Sequence, residues 1–298
     1  MTEDGSITVE ARAKVNLTLE ILGTRQDGYH ELRSIVMPVS LADTVELTKT
    51  NGAVALTVGI EPGINATELG PAERNLAVRA ALLLKARYGV RDGVRIRIQK
   101  RIPVGGGLGG GSADAAAVIR GLNRLWGLSR PEEELVVLAA ELGSDIPALV
   151  LGGAVLMEGR GERVQRLAMA HPAPGFPIIL ANPGVHCSTP EVFRRWKGDL
   201  TSMRGIVHTM AFSIRTGDVR GAAGALFNGL QPAAFEGYPA VAGVAALLRE
   251  CGCLGVLLSG SGATVFGLVA DAASGRMVCR RLEAAGVWHV MAQTCPMV

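Results

Sequence analysis

Period-two alternation dominates the first fifty residues. Ile7 and Val9, then Val15, Leu17, Leu19 and Ile21, put apolar side chains on one face and predict strands. Gln26-Asp27-Gly28 reads as a turn before the next strand, and Val45–Leu47 and Val54–Val58 continue the pattern. The spacing then becomes helical from about residue 74 to residue 88, with Gly89 as the stop. Val94, Ile96 and Ile98 alternate with Arg95, Arg97 and Gln99, a half-exposed strand whose arginines face solvent.

That strand runs into a stretch where six of seven residues, 105 to 111, are glycine, which reads as neither strand nor helix because ordering them is entropically costly. Helical spacing resumes at once through Ala115, Val118, Ile119, Leu122 and Trp126, and Gly127 ends it. Ser129-Arg-Pro-Glu132 has the form of a capping box opening a helix with Leu135, Leu138, Ala139 and Leu142 inward. Gly143 ends that helix, and Ser144–Pro147 starts a new turn. Past residue 160 comes a proline-rich surface crossing over 171–177 and a strand at 178–180. Helices follow near 189–196, 201–215, 218–227 and 239–250, then strands at 255–258 and 264–269, a helix over 271–285 and a strand over 287–292. The pattern predicts α+β architecture and two domains, 1–160 and 161–298.

Composition narrows the function classes. The 30 basic and 27 acidic residues leave a net charge of +3, too little for a nucleic-acid stripe or a membrane-surface binder. No uncharged apolar run approaches the ~18 residues of a membrane span, and the acidic start MTEDGSITVE predicts no signal peptide. Five scattered cysteines, with Cys251-Gly-Cys253 at the wrong spacing for a redox or zinc pair, suit a reducing cytoplasm.

The chemistry concentrates in the strand, glycine loop and helix of residues 94–126. Consecutive backbone N–H groups with no Cβ in the way form an anion nest, and a following helix start adds its positive dipole end. Ser112 at the junction can cap the helix or contact phosphate. No lysine follows the glycines as a Walker A loop requires. Gly105, Gly107 and Gly110 satisfy G-x-G-x-x-G, yet no second strand ending in an acid follows. The phosphate loop of another kinase class and a flexible hinge remain.

Elsewhere the residues leave alternatives open. Asp145 is either a helix-start residue or the carboxylate that takes a proton from an acceptor hydroxyl. Lys14 is either solvent-facing or buried and in need of a carboxylate partner such as Asp145. Asp27-Gly-Tyr29-His30 is a turn with ordinary strand residues, or a stacking and hydrogen-bonding pair for a base-like ligand. Ser259-Gly-Ser-Gly262 is a hairpin turn or a second backbone cradle.

Taken in order, Ala13–Leu17, Pro103–Ala116 and Leu258–Thr264 resemble the three signature stretches of the GHMP kinase superfamily. Arg25–Leu32, Gly143–Pro147 and Asn182–Phe193 are similar to stretches typical of its cytidyl-methylerythritol kinase family, and the likeness covers nearly the whole chain. The resemblance implies a two-domain GHMP kinase fold, ribosomal-protein-like at the N-terminus and ferredoxin-like at the C-terminus, with the active site in the cleft between the domains. It implies ATP and Mg2+, a cytidine-diphosphate-linked polyol as acceptor, and a monomer or homodimer. Matched position by position, Asp145 is the general base and Lys14 its electrostatic partner. Pro103, Val104, Gly105, Gly106, Gly107, Leu108, Gly109, Gly110, Gly111, Ser112 and Ala113 wrap the ATP phosphates. Tyr29 and Phe193 sandwich the cytosine, His30 hydrogen-bonds it, and Asn16 helps hold the substrate. No metal ligand is assigned. The family often has two serines after the glycines; here the second position is Ala113, leaving Ser112 for phosphate or metal contact. The alternative is another GHMP kinase acting on mevalonate-type, homoserine or sugar acceptors, which offer no base to stack.

Overall fold

The structure, a computed structural model, describes residues 5–64, 70–168, 174–198 and 205–297. The expected crossing at 171–173 and the helix start at 201–204 lie outside the described residues. The chain forms two compact units. One takes Met1–Ala13, Leu41–Val104 and Gly109–Leu151; the other takes Lys14–Ser40, Gly105–Leu108 and Gly152–Val298.

Strands β1 (Ser6–Thr24) and β2 (His30–Thr50) contribute residues to both units. The first unit adds β3 (Val54–Ile60), α1 (Leu76–Tyr88), β4 (Gly93–Lys100), α2 (Gly110–Leu125), α3 (Glu132–Ala139) and α4 (Ile146–Leu151). Its strand order is β3-β4-β2-β1, with β4 parallel to β3 and antiparallel to β2. Ile98 lies opposite Val45 and Ile96 opposite Leu47, all buried, while Arg95 and Arg97 face solvent as the alternation predicts. Asn75 caps α1 by accepting from Ala77 N at 2.9 Å, and Gly89 ends it at φ +63°.

Two local expectations fail for physical reasons. Gly110 and Gly111 belong to the first turn of α2 rather than to the loop. A Cβ at Gly110 would sit 3.0 Å from Ile102 Cγ2 and 3.3 Å from Lys100 Nζ, so close packing outweighs the ~1 kcal/mol helix penalty of glycine. The capping box before α3 does not form: Ser129 is left-handed at φ +51°, and Pro131 holds the cap position without a side-chain bond. Asn123 instead grips Arg130 through both its main-chain N (2.9 Å) and O (3.1 Å), and three glutamates in the first turn complement the helix dipole. The helix stops at Ala139, which leaves Leu142 half-buried beyond its end.

The second unit contains β5 (Val155–Gly159), β6 (Arg163–Arg166), β7 (Pro177–Asn182), α5 (Thr189–Arg195), α6 (Ile206–Thr216) and α7 (Val219–Gly224). After these come β8 (Phe227–Asn228), α8 (Gln231–Gly237), α9 (Pro239–Glu250), β9 (Gly255–Leu258), β10 (Val265–Leu268), α10 (Ala272–Ala284) and β11 (Trp288–Gln293). One sheet is the seven-stranded one already entered through β1 and β2, to which β8 adds beside β1 and β5, followed by β6, beside β2. The other is antiparallel in the order β11-β7-β10-β9, the 4-1-3-2 arrangement of a ferredoxin-like βαββαβ unit. Ile179, Ala181 and Val265 of this sheet share a buried core with Val241, Val244 and Leu248 of α9 and Val278 and Leu282 of α10. Helix α7 is shorter than the expected 218–227. Asp218 caps it through the N–H groups of Arg220 and Gly221, and the chain then leaves to pair β8 with β1.

Candidate active site

Within the glycine loop, Gly105, Gly107 and Gly109 all adopt left-handed backbone, at φ +68°, +76° and +67°. Three successive carbonyls are tied into the second unit. Gly106 O accepts from Thr264 N (3.0 Å), Gly107 O from Ser259 Oγ (3.0 Å) and Leu108 O from Lys14 N (2.9 Å). A trans peptide holds its C=O and the next N–H antiparallel, so anchoring these carbonyls turns the N–H groups of Gly107, Leu108 and Gly109 to the opposite side. That is the orientation an anion nest requires. Gly107 also tolerates no side chain, since a Cβ would run into the carbonyl oxygens of Ser259 and Gly262, the latter at 2.7 Å.

The turn receiving the loop is itself pinned. Asn228 Nδ2 donates to Leu258 O (2.9 Å) and Gly260 O (2.8 Å), and Asn182 Nδ2 donates to Thr264 Oγ1 (2.9 Å). Beneath Gly260 lie Lys14 and Asn16, whose Nζ and Oδ1 would each be 3.4 Å from a Cβ there. Lys14 is only 3% exposed, which excludes the solvent-facing reading. Its ammonium donates to Asn16 Oδ1 (2.8 Å), Asn16 Nδ2 to Ser34 Oγ (2.9 Å), and Ser34 Oγ to Thr18 O (2.5 Å). The Ser259–Gly262 segment is therefore a turn that packs directly on the glycine loop.

At the start of β2 the His30 ring stacks on Phe193 of α5, with centroids 4.7 Å apart at 27°, and meets Trp196 edge-on at 5.2 Å. Burial holds the His30 imidazole below its ordinary range, so it is neutral at physiological pH. Tyr29 is 53% exposed, with the Arg160 guanidinium 5.3 Å from its ring centroid. Ion pairs brace this turn: Arg25 reaches Asp27, Glu31 (2.9 Å) and Glu162, while Glu162 Oε2 accepts from Arg160 N (2.7 Å).

In the first unit Asp145 immediately precedes α4, and its carbonyl accepts from Leu149 N at 3.3 Å. Ser112 is half-buried in the first turn of α2, and Ala113 is buried. Below them Lys100 donates to Asp43 Oδ2 and, at 2.8 Å, to Asp114 Oδ2, all three side chains being buried. Burial alone would lower the Lys100 ammonium, but the two carboxylates outweigh it and hold it above its usual range. Burial pushes the Asp114 carboxyl up to about 7, against the pull of the Lys100 ammonium and with the neighbouring Asp43 charge adding to the rise. Among the described residues no group of three or more His, Cys, Asp or Glu is arranged to hold a metal ion.

The expected residues thus divide by unit. Lys14, Asn16, Tyr29, His30, Phe193 and residues 105–108 belong to the second; Pro103, Val104, residues 109–113 and Asp145 belong to the first. Lys100, Asp43, Asp114, Asn228, Trp196 and Arg160 were missed. Two carried a signal. Lys100 continues the inward parity of Val94, Ile96 and Ile98, and Trp196 falls three residues after Phe193 on the helical period. Asn228 and Arg160 carried none, because their partners lie about 30 and about 130 residues away.

The family model described as GHMP kinases N terminal domain matches residues 75–153, and that of GHMP kinases C terminal matches residues 211–287. A protein of Pelotomaculum thermopropionicum named 4-diphosphocytidyl-2-C-methyl-D-erythritol kinase is 43% identical over 275 residues, covering 92% of this chain and 93% of the relative. A kinase of the same name from Bacillus cytotoxicus is 42% identical over 264 residues, 88% of each chain. Among solved structures, a 4-(cytidine 5'-diphospho)-2C-methyl-D-erythritol kinase aligns with TM-score 0.79 and 34% identity over 97% of this chain and 99% of its own. Homoserine kinase from Cytophaga hutchinsonii aligns with TM-score 0.75 over 99% of this chain and 96% of its own, but at 20% identity it shares the fold alone.

Proposed function

Because the chain belongs to the GHMP kinases, and among them to the family of 4-diphosphocytidyl-2-C-methyl-D-erythritol kinases, we propose that it transfers the γ-phosphoryl group of ATP to the 2-hydroxyl of 4-diphosphocytidyl-2-C-methyl-D-erythritol. The product serves non-mevalonate isoprenoid synthesis. In this reading residues 103–113 wrap the triphosphate, with the outward-turned N–H groups of Gly107, Leu108 and Gly109 on its oxygens. Asp145 accepts the proton of the acceptor hydroxyl as its oxygen attacks phosphorus in line, and Lys14 stabilises the negative charge at that oxygen. Asn16, bonded to Lys14, fixes the ammonium and meets the substrate. Tyr29 and Phe193 flank the cytosine, and neutral His30, whose ring covers one face of Phe193 here, turns off that face to meet the edge of the base.

Ser112, in the first turn of α2 directly after the glycine loop, would offer its hydroxyl to a magnesium ion carried on the phosphate oxygens. Bound there, Mg2+ would neutralise charge on the β- and γ-phosphates.

One observation carries the proposal. Residues 13–17, 105–108 and 258–264, about 90 or more positions apart in the chain, are hydrogen-bonded into a single cluster. The experiment is ADP release measured with the cytidyl-methylerythritol, mevalonate, homoserine and galactose as acceptors. Turnover with the first alone is expected. Equal turnover with any of the others would defeat the assignment of the acceptor.

A further inference from the structure

The loop from residue 103 to 109 has little stiffness of its own, because glycine loses more freedom on ordering than any other residue. Something beyond it must fix the separation of its ends. At the entrance, Asp43 Oδ1 accepts from Arg101 N (2.5 Å) and Ile102 N (2.9 Å), the last residues of β4's exit. At the exit, Asp114 lies in α2, four residues after Gly110. Lys100 joins the two by donating to Asp43 and to Asp114 Oδ2 at 2.8 Å. Its Nζ lies so close behind Gly110 that a Cβ there would be 3.3 Å away.

We propose that Lys100, Asp43 and Asp114 form a positioning clasp that holds the entrance and exit of the phosphate loop in register and thereby sets the affinity for the triphosphate of ATP. The inference rests on reading the glycine loop as the triphosphate site. Two features separate a clasp from a phosphate-binding lysine. The ammonium is 3% exposed, and Asp43 together with the Asp114 carboxyl already neutralises it, so no positive charge is left over for a ligand. Asp114 Oδ1 is buried with no hydrogen-bond partner. A carboxylate kept under such conditions is costly to the fold, which fits a side chain retained for where it ties the helix.

Asp114→Ala is the informative variant. It leaves the neutral Lys100–Asp43 pair intact and places a strong helix former in α2, so the protein folds. ATP KM is expected to rise about tenfold or more, since an angstrom-scale shift of a positioning element costs up to ~100-fold, while the acceptor KM stays within about twofold. Asp114→Asn is expected to restore ATP KM to near wild type, because its carboxamide oxygen accepts the same bond from Lys100. Wild-type ATP KM in Asp114→Ala, or a parallel rise in both KM values, overturns the clasp. Ser112→Asp tests the underlying reading, placing a negative charge where the triphosphate would lie at a helix start that tolerates acids. Unchanged ATP binding by that variant removes the triphosphate from the loop and the clasp's role with it; lost ATP binding at unchanged Tm supports both.

Discussion

Lys14 and Asn16 point to the same side of β1 and are buried there, although polar pairs in such a position ordinarily need a strong reason to stay. The proposed proton transfer at the acceptor hydroxyl would supply one. Asp145→Asn keeps the size of the side chain and removes its basicity, so kcat is expected to fall roughly 10²–10⁴-fold at unchanged Tm; wild-type turnover would remove Asp145 from the mechanism. Tyr29→Ala removes a half-exposed ring that supports nothing in the core, and it is expected to raise the acceptor KM while ATP KM stays level. His30 adds a pH signature. Its folded-state value is depressed, so the neutral imidazole persists below the usual range, and any contribution to stability is lost only as pH falls. Acceptor KM should therefore be flat from about pH 8 to 6.5 and rise below that. A rise already between pH 8 and 7 would remove the neutral ring from recognition.

At the scale of elements, the period-two and helical patterns located most strands and helices, because burial of one face dictates both. They failed where long-range packing overruled local chemistry. Gly110 is helical with Ile102 and Lys100 packed where a side chain would stand, a fact set by residues at the end of the preceding strand and just past it. Ser129 carries the right motif for a cap but the wrong backbone, fixed by Asn123 on α2. Strand β8 has two residues and no periodicity to read. The loop and the turn that receives it behave as one element. Gly107→Ala meets two main-chain oxygens in a left-handed conformation, so a loss of about 2 kcal/mol is expected in urea unfolding. Full stability in that variant would contradict the close approach.

For the whole molecule, segments distant in sequence share one unit: 14–40, 105–108 and 152–298 fold together, and no local pattern encodes that partnership. A non-hydrolysable ATP analogue at 100 times its Kd should stabilise the fold by about 2.7 kcal/mol through mass action alone, and thermal scans with and without it measure the shift.

Cys187 gives this arrangement a built-in reporter. The residue is 2% exposed, its sulfur would lie 3.4 Å from a Cβ on Gly262, and burial pushes the thiol up to about 11. A disulfide reagent can modify it only when the packing around it, the 258–264 segment included, opens locally, so the labelling rate clocks that opening. Nucleotide that stills the segment should slow the clock, and the more accessible thiols, Cys251 and Cys295 among them, serve as internal controls whose rates stay put.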